Sequence, residues 1–470
     1  MDSTTDKLYQ RIEFWLLIFF VIRLIGITNP PLEAAHHWRQ VTGLMVARNF
    51  LETNPNILYP RIDDNNGGSG IIGMEFPSLN YGCFLMAKIF GYRHWYGRLL
   101  NLIVSTLGIW YYYRLLVATR FSVSVACYAS LLLTTSIWFS FSRKMMPDTY
   151  CIAIMMVALY YGWQFLIEKK KLSLVIYVLL ASLAVTSKIP AGIYLVIPLM
   201  WCCSTLGGRE KWYLLFASLV PLSFLYVWYF WWNPWLSVTF GNWYNSGKPI
   251  LDGGRELILH YREALHNFTF FAFMGYSGFV VFAAGVISAI IKKNKPLLLV
   301  FAGVAAVFVL YVFKSGFFFF HHNYYIIPFV PMMALLAGYA LSFITRRWLA
   351  LLVLVVVIAE GVANQQHDFF IKSSEQYKMD IEPLLDRWSR TGDLILINGN
   401  GNPQLMYLAH RKGWSSYHAE LKDSAYLHKV LPRIKLVVLH KTDGVDARWL
   451  PAGCHPLHED GHFVIARPSR

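Results

Sequence analysis

The stretch PPLEAAHHWRQVTGLMVARNFLETNPNILYPRIDDNNGGSGIIGMEFPSLNY, residues 30–81, decides how the rest of the chain is read. It lies between the first apolar run and the second. It holds Glu33, His36, His37, Arg39, Gln40, Asp63, Asp64 and Glu75, a high polar density for so apolar a chain. Pro31 suits the first turn of a helix, where its missing N–H would have no partner anyway. A helix starting there puts Glu33, His37 and Gln40 at i, i+4 and i+7, on one face. The expectation is a polar, partly folded loop outside a membrane that builds a site.

The surrounding sequence supplies the membrane. The chain has 470 residues, 56% hydrophobic and only 15% charged, against about 25% charged in soluble domains. Its mean hydropathy is +0.41. Apolar windows of roughly 20 residues recur along most of the length, which is the signal of membrane spans. They fall near residues 12–29, 97–117, 122–141, 149–167, 172–187, 189–206, 212–232, 270–291, 297–313, 324–344 and 347–364, about eleven helices. Lys7 and Arg11 precede the first. Arg114 and Arg120, Lys169 to Lys171, Arg209 and Lys211, Lys292 to Lys295, and Arg346 and Arg347 fall in alternate short connections. By the positive-inside rule these connections are cytoplasmic. Residues 30–96, 142–148, 233–269, 314–323 and the tail are then outside.

The net charge of +15 is accordingly a topology signal and a match to anionic lipid, and nucleic-acid binding is set aside. The six cysteines form no metal spacing. Only Cys83 and Cys454 would meet an oxidising exterior, and nothing pairs them. The first span lacks a small-residue cleavage site and reads as a retained anchor.

Further polar groups lie in the other outside segments. In GYRHWYGRLLN, Arg93, His94 and Arg98 stand at the level of lipid phosphates, where snorkelling is an equal reading. SRKMMPD, residues 142–148, sets Arg143 and Lys144 beside Asp148, a pattern suited to a phosphate partner. Lys188, before Pro190, is placed at the same depth. The loop 233–269 carries an amphipathic stretch suited to the membrane interface. KSGFFFFHHNYY adds His322 and Tyr325, read as hydrogen-bonding groups for phosphate or sugar because no further metal ligands stand at a diagnostic spacing.

From about residue 367 the chain changes character. DLILING (393–399) and IKLVVLH (434–440) are strand-like, with helical segments around 380–388 and 403–410, so a small α/β domain is expected over 367–470, with residues 1–366 as the transmembrane domain. NGNGNP (398–403) follows a strand and precedes a helix. An anion cradle and a plain turn are both open there, the turn being the simpler reading.

EFPSLNY before the second span, MPD after the third, and an acidic residue directly after the first resemble the GT-C fold glycosyltransferases that use lipid-linked sugars. The resemblance is to the family of protein O-mannosyltransferases and aminoarabinose transferase-like proteins, also called glycosyltransferase family 39-like, in a bacterial branch. It implies an α-helical polytopic membrane enzyme of the inner membrane with its site on the periplasmic side. The implied donor is a polyprenyl-phosphate sugar, and the acceptor a lipid, glycan or protein. The resemblance makes Glu33 the catalytic base, with Asp148, Glu75 and Asp63 as the next carboxylates to consider. Where the family often has Asp, or an Asp–Glu pair, this chain has Glu33 followed by Ala34 and Ala35. EFPSLNY also lacks the Lys that often follows the acid in aminoarabinose transferases, which argues against that sugar.

Inverting transfer needs a carboxylate to take the acceptor's proton and cations to stabilise the departing phosphate. Arg39, Arg98, Arg143, Lys144 and Lys188 are the candidate cations; His36, His37, Gln40, Asp63, His322 and Tyr325 are candidate binding groups. No cofactor is indicated, and a divalent cation, Mg or Mn, stays open. The competing readings are a transporter or flippase of lipid-linked sugars, a polysaccharide polymerase or ligase, and a non-catalytic assembly partner. Transporters place their ionisable groups near the bilayer midplane, whereas here they cluster in the outside loops. Glu360, near the end of the last span, is the exception.

Overall fold

The computed structural model describes residues 8–33, 36–203, 208–241, 247–442 and 444–469; Lys7, used in the topology argument, lies outside them. The chain divides into two compact units. The first comprises Met1–Ile27, Gly97–Trp231 and Asn245–Phe369; the second comprises Thr28–Tyr96, Trp232–Tyr244 and Phe370–Arg470.

The first unit is helical. Among the described residues of the whole chain, four helices are long and apolar enough to cross a membrane: Tyr96–Ala118, Pro147–Glu168, Glu210–Phe240 and Lys295–Ser315. Two bent pairs raise the number to six, one of them Tyr261–Phe271 with Tyr276–Ile291, which turns through 90°. Val123–Thr135, Lys171–Ser187, Ile189–Cys202 and Val330–Leu341 are apolar but shorter. The sequence reading of about eleven full spans is therefore met by length at only four to six. Pro190 shows one reason: the region 189–206 opens with a 3-10 stretch, Ile189–Leu195, before the helix Val196–Cys202.

Small residues let the helices of this unit approach closely. A Cβ at Gly338 would meet the backbone N of Ala129 at 2.6 Å, so Val330–Leu341 and Val123–Thr135 touch backbone to backbone. The basic clusters of the topology argument sit at helix junctions, Lys169 and Lys170 between Pro147–Glu168 and Lys171–Ser187, and Lys292 to Asn294 between Tyr276–Ile291 and Lys295–Ser315. Glu360 is explained at the 90° break. Its carboxylate accepts from the backbone N–H groups of Tyr276 and Ser277, both at 3.0 Å, and from the Ser277 hydroxyl. It thus caps the orphan donors of the next helix, where a negative charge is favoured. Gly275 permits this, because a Cβ there would lie 2.4 Å from the Glu360 carboxyl carbon.

The second unit is built on a five-stranded sheet: β1 (Leu394–Ile397), β2 (Lys412–Ser415), β3 (Leu436–His440), β4 (Cys454–Glu459) and β5 (Phe463–Pro468), in the order β2-β1-β3-β5-β4. β1 pairs parallel with β2 and β3; β5 runs antiparallel to β3 and β4. LILI and LVVLH are near-continuous apolar runs because both faces of a parallel strand are covered.

The first loop belongs to this same unit. Its helices are His37–Glu52 and Ser78–Phe90, and Asn80 Nδ2 in the second donates to Gly43 O in the first at 2.7 Å. Asp64 forms a parallel bridge with Gly413, extending the sheet beyond β2. The change in sequence character near residue 367 falls beside the unit boundary at Phe369, but the tail shares its unit with the first loop. Cys83 and Cys454 both lie in this unit and remain unbridged thiols.

Candidate active site

The helix expected from Pro31 begins at His37. His36 precedes it in the left-handed region, with φ 61°, which breaks the helical path between Glu33 and Gln40. The two meet nonetheless. Gln40 Nε2 in the first helical turn reaches back to Glu33 Oε2 at 2.5 Å, and Glu33 is 4% exposed. The contact is made although the helix starts only at His37.

Two other carboxylates of the loop are ion-paired with arginines. Glu75 pairs with Arg39. Asp63 is buried between Arg48 Nη2 at 2.7 Å and Asn49 Nδ2 at 2.8 Å. Burial works against the Arg48 charge, but Asp63 beside it holds the guanidinium above its ordinary value. Arg48 Nη1 also donates to Tyr407 O at 3.1 Å. Asp63 is thus held inside the loop by Arg48 and Asn49.

The tail holds the start of this loop. Gln404 Nε2 donates to Pro31 O at 2.9 Å, Asn402 Nδ2 meets His37 Nε2 at 2.8 Å, and Trp38 Nε1 donates to Gly401 O at 3.1 Å. Burial and then the Lys378 charge depress the His37 pKa, against the raising effect of Glu33 and Glu375. His37 is thereby kept neutral near neutral pH, available as a hydrogen-bonding group. Asn402, Gln404 and Lys378 were not singled out as site residues by sequence reasoning. The only signal was the NGNGNP turn itself.

A second polar cluster lies in the first unit. Asp148 opens the helix Pro147–Glu168, where its charge suits the helix N-terminus. One carboxylate oxygen pairs with Lys188. The other, Oδ2, is buried without a hydrogen-bond partner among the described residues. Lys188 Nζ lies 5.2 Å from the Tyr324 ring centroid. His322 stacks on Tyr324 at 5.2 Å and on Tyr325 at 6.1 Å. Four sequence candidates, Asp148, Lys188, His322 and Tyr325, are thus brought together, and Tyr324 joins them.

Arg143 and Lys144 are engaged differently. Arg143 donates to the carbonyl oxygens of Arg23, Ile25 and Asp368, at 3.0, 2.5 and 3.0 Å, and lies 4.0 Å over the Phe369 ring. Lys144 Nζ is 3.1 Å from the Asp368 carboxylate. Both are buried. Their donors are met by partners within the first unit. Arg98 is also buried, with Nη1 toward Ile27 O at 3.4 Å. Asn101, unnoticed in the sequence, shapes the MPD turn: Nδ2 donates to the carbonyls of Phe141, Lys144 and Met146, and Oδ1 accepts from Thr149. Among the described residues, no three His, Cys, Asp or Glu side chains converge as a metal site.

Comparison with known proteins gives the class: the GT-C fold, here with helices long and apolar enough to cross a membrane several times. Residues 77–231 match the family model described as dolichyl-phosphate-mannose-protein mannosyltransferase. Among solved structures, the chain is similar to ArnT from Cupriavidus metallidurans in the apo state, with TM-score 0.63, 12% identity, and 96% of this chain and 97% of that one covered. The same protein bound to undecaprenyl phosphate gives TM-score 0.60 at 13% identity, with 97% of each chain covered. The apo oligosaccharyltransferase of Archaeoglobus fulgidus gives TM-score 0.60 at 13% identity, with 93% of this chain and 70% of that one covered. No curated protein matches the sequence.

Proposed function

We propose that the chain is a membrane glycosyltransferase that moves a sugar from a polyprenyl-phosphate carrier to a hydroxyl of a lipid, glycan or protein acceptor. Its place is the bacterial inner membrane, with the chemistry on the periplasmic side. The observation that carries this reading is the correspondence with ArnT over nearly all of both chains, reinforced by the mannosyltransferase family match. The structures of ArnT with undecaprenyl phosphate and of AglB with dolichol-phosphate support the donor class.

In this reading the acceptor oxygen attacks the anomeric carbon, the bond from that carbon to the phosphate oxygen breaks, and Glu33 takes the hydroxyl proton. Gln40 fixes the carboxylate, and His37 presents a neutral ring beside it. The departing phosphate needs positive charge.

Reconstituted protein, assayed with radiolabelled polyprenyl-phosphate sugars, tests the proposal. Glu33→Gln retains the shape and removes the proton acceptor, so turnover falls by about 10²–10⁴-fold while donor binding persists. Near-normal turnover in that variant overturns the role of Glu33. A chelator leaves turnover unchanged if side chains alone supply the charge that the phosphate needs. Loss of turnover, restored by Mg or Mn, assigns that charge to a metal instead.

A further inference from the structure

The second unit contains a cavity of 160 Å³ at the carboxyl ends of β1 and β3. From β1 the chain passes to β2 on one side and then crosses to β3 on the other. The strand order therefore reverses between β1 and β3. Open α/β sheets bind ligands outside the carboxyl ends of their strands at this reversal, because the two connections part there and leave a crevice.

The floor of the crevice is fixed. Asn398, the residue after β1, donates to His440 O at 3.0 Å and accepts from His440 N at 2.6 Å, pinning the two strand ends together. The chain then turns through Asn400 and Gly401, both left-handed with φ 50° and 75°, and Asn400 stands exposed at the rim. Across from it His418 lies beside Trp449, with ring centroids 5.8 Å apart. Neither the Asn400 amide nor the His418 ring nitrogens have a hydrogen-bond partner among the described residues.

The chemistry of the lining selects the ligand. The Asn398, Asn402 and Gln404 amides are engaged within the protein, whereas the Asn400 amide offers a donor and an acceptor together, the complement of a hydroxyl that both gives and receives. An anion presents acceptors only and would leave the Asn400 carbonyl without a partner. Lys378, the one permanent cation in the lining, is already paired with Glu375 and donates to Gln404 Oε1 at 3.2 Å.

We propose that this crevice binds a neutral monosaccharide unit, with Asn400 and His418 as its rim contacts. The transferase reading supplies only the biological source of that unit, the glycan of the acceptor or product; the binding itself rests on the crevice. Asn402 and Gln404 carry its occupancy toward the catalytic loop, since they hold His37 and Pro31.

The experiment is saturation-transfer NMR on the full chain in detergent, without lipid donor, with mannose, galactose and inorganic phosphate as probes. A neutral hexose binds the wild type and Glu33→Gln equally. Asn400→Gly keeps the left-handed backbone unstrained, and it and His418→Ala each weaken binding about tenfold. The proposal is overturned by absent hexose binding, by binding unchanged in both rim variants, by binding lost in Glu33→Gln, or by phosphate displacing the hexose. Hexose binding that survives in a protein with no transferase turnover overturns the transferase reading alone.

Discussion

Glu33 and Asp63 are both buried carboxylates of one loop, and their neighbours separate their roles. Residue types and spacing showed that acids were concentrated there; they did not show that Arg48 would pair with Asp63 or that Gln40 would meet Glu33. Breaking a buried pair by removing one partner costs about 3–5 kcal/mol, so Arg48→Met lowers stability sharply, which thermal unfolding of the purified protein measures. Arg143 carries the same lesson: beside Asp148 in sequence, it spends its donors on three carbonyls. Arg143→Ala is therefore expected to lower the unfolding temperature, and weaker donor binding at unchanged stability would contradict its packing role. Asp64 gives a pH effect. Burial first, then the nearby Glu420 and Asp63 charges, push its pKa from 3.8 to about 6 despite the hydrogen bond from Ser415 N. The folded protein thus holds that proton more tightly than the unfolded chain, and stability falls as pH rises from about 4 to about 6. Asp64→Asn keeps the acceptor for Ser415, removes that fall and raises the unfolding temperature at pH 7. A pH profile of stability identical to wild type would show that Asp64 does not titrate as the structure requires.

At the scale of elements, the helix His37–Glu52 joins loop to sheet. Lys412 of β2 donates to Asn49 Oδ1 at 2.7 Å and Thr53 Oγ1 at 3.0 Å, and His410 lies between Glu382 at 2.7 Å and Glu52 at 3.1 Å. The strands β1 and β3 were legible because each is an unbroken apolar run. β2, KGWS, and β4, CHPLHE, were not, since they are largely polar and lie at the two edges of the sheet, where only the partner strand defines them. The helix start was misplaced for a similar reason: Pro31 is permissive for a helix, and the left-handed His36 that ends that possibility leaves no mark in the sequence. The Glu52 hydrogen bond, opposed by burial and Arg48 and helped by Glu382, raises the His410 pKa. The clamp therefore contributes its stability fully below the ordinary histidine value of 6.5 and loses it as pH rises through the raised one. His410→Gln removes this upper pH dependence, and hydrogen exchange of the 37–52 amides would then show the same protection at pH 6 and pH 8. A protection difference that persists in the variant would place the pH sensitivity elsewhere.

At the scale of the whole molecule, composition and basic clusters made a multi-pass membrane protein legible, while the membership of the compact units was not. The sequence changes character near residue 367 because strands replace apolar helices. It says nothing of which surface those strands cover, and they cover the first loop. Truncation after Phe369 would leave Arg48 without Tyr407 O, Asn49 without Lys412 and Asp64 without Ser415 N, unpaired groups costing about 1–3 kcal/mol each when buried. Such a protein is expected to lose its folded first loop, read as protease cleavage within residues 53–75, and intact resistance there would show that the loop stands alone. The same pairing constrains topology. A loop and tail that fold as one unit must lie on one side of the membrane, so the tail's side fixes that of Glu33. The proposed topology puts Lys170 on the cytoplasmic side, because short loops rich in Lys and Arg are retained there. Reporter fusions after Lys170 and Ser469 should accordingly give cytoplasmic and exterior signals. An exterior signal at Lys170 would reverse the assignment of every junction, move Glu33 to the cytoplasmic face, and remove the physical basis for a donor presented outside.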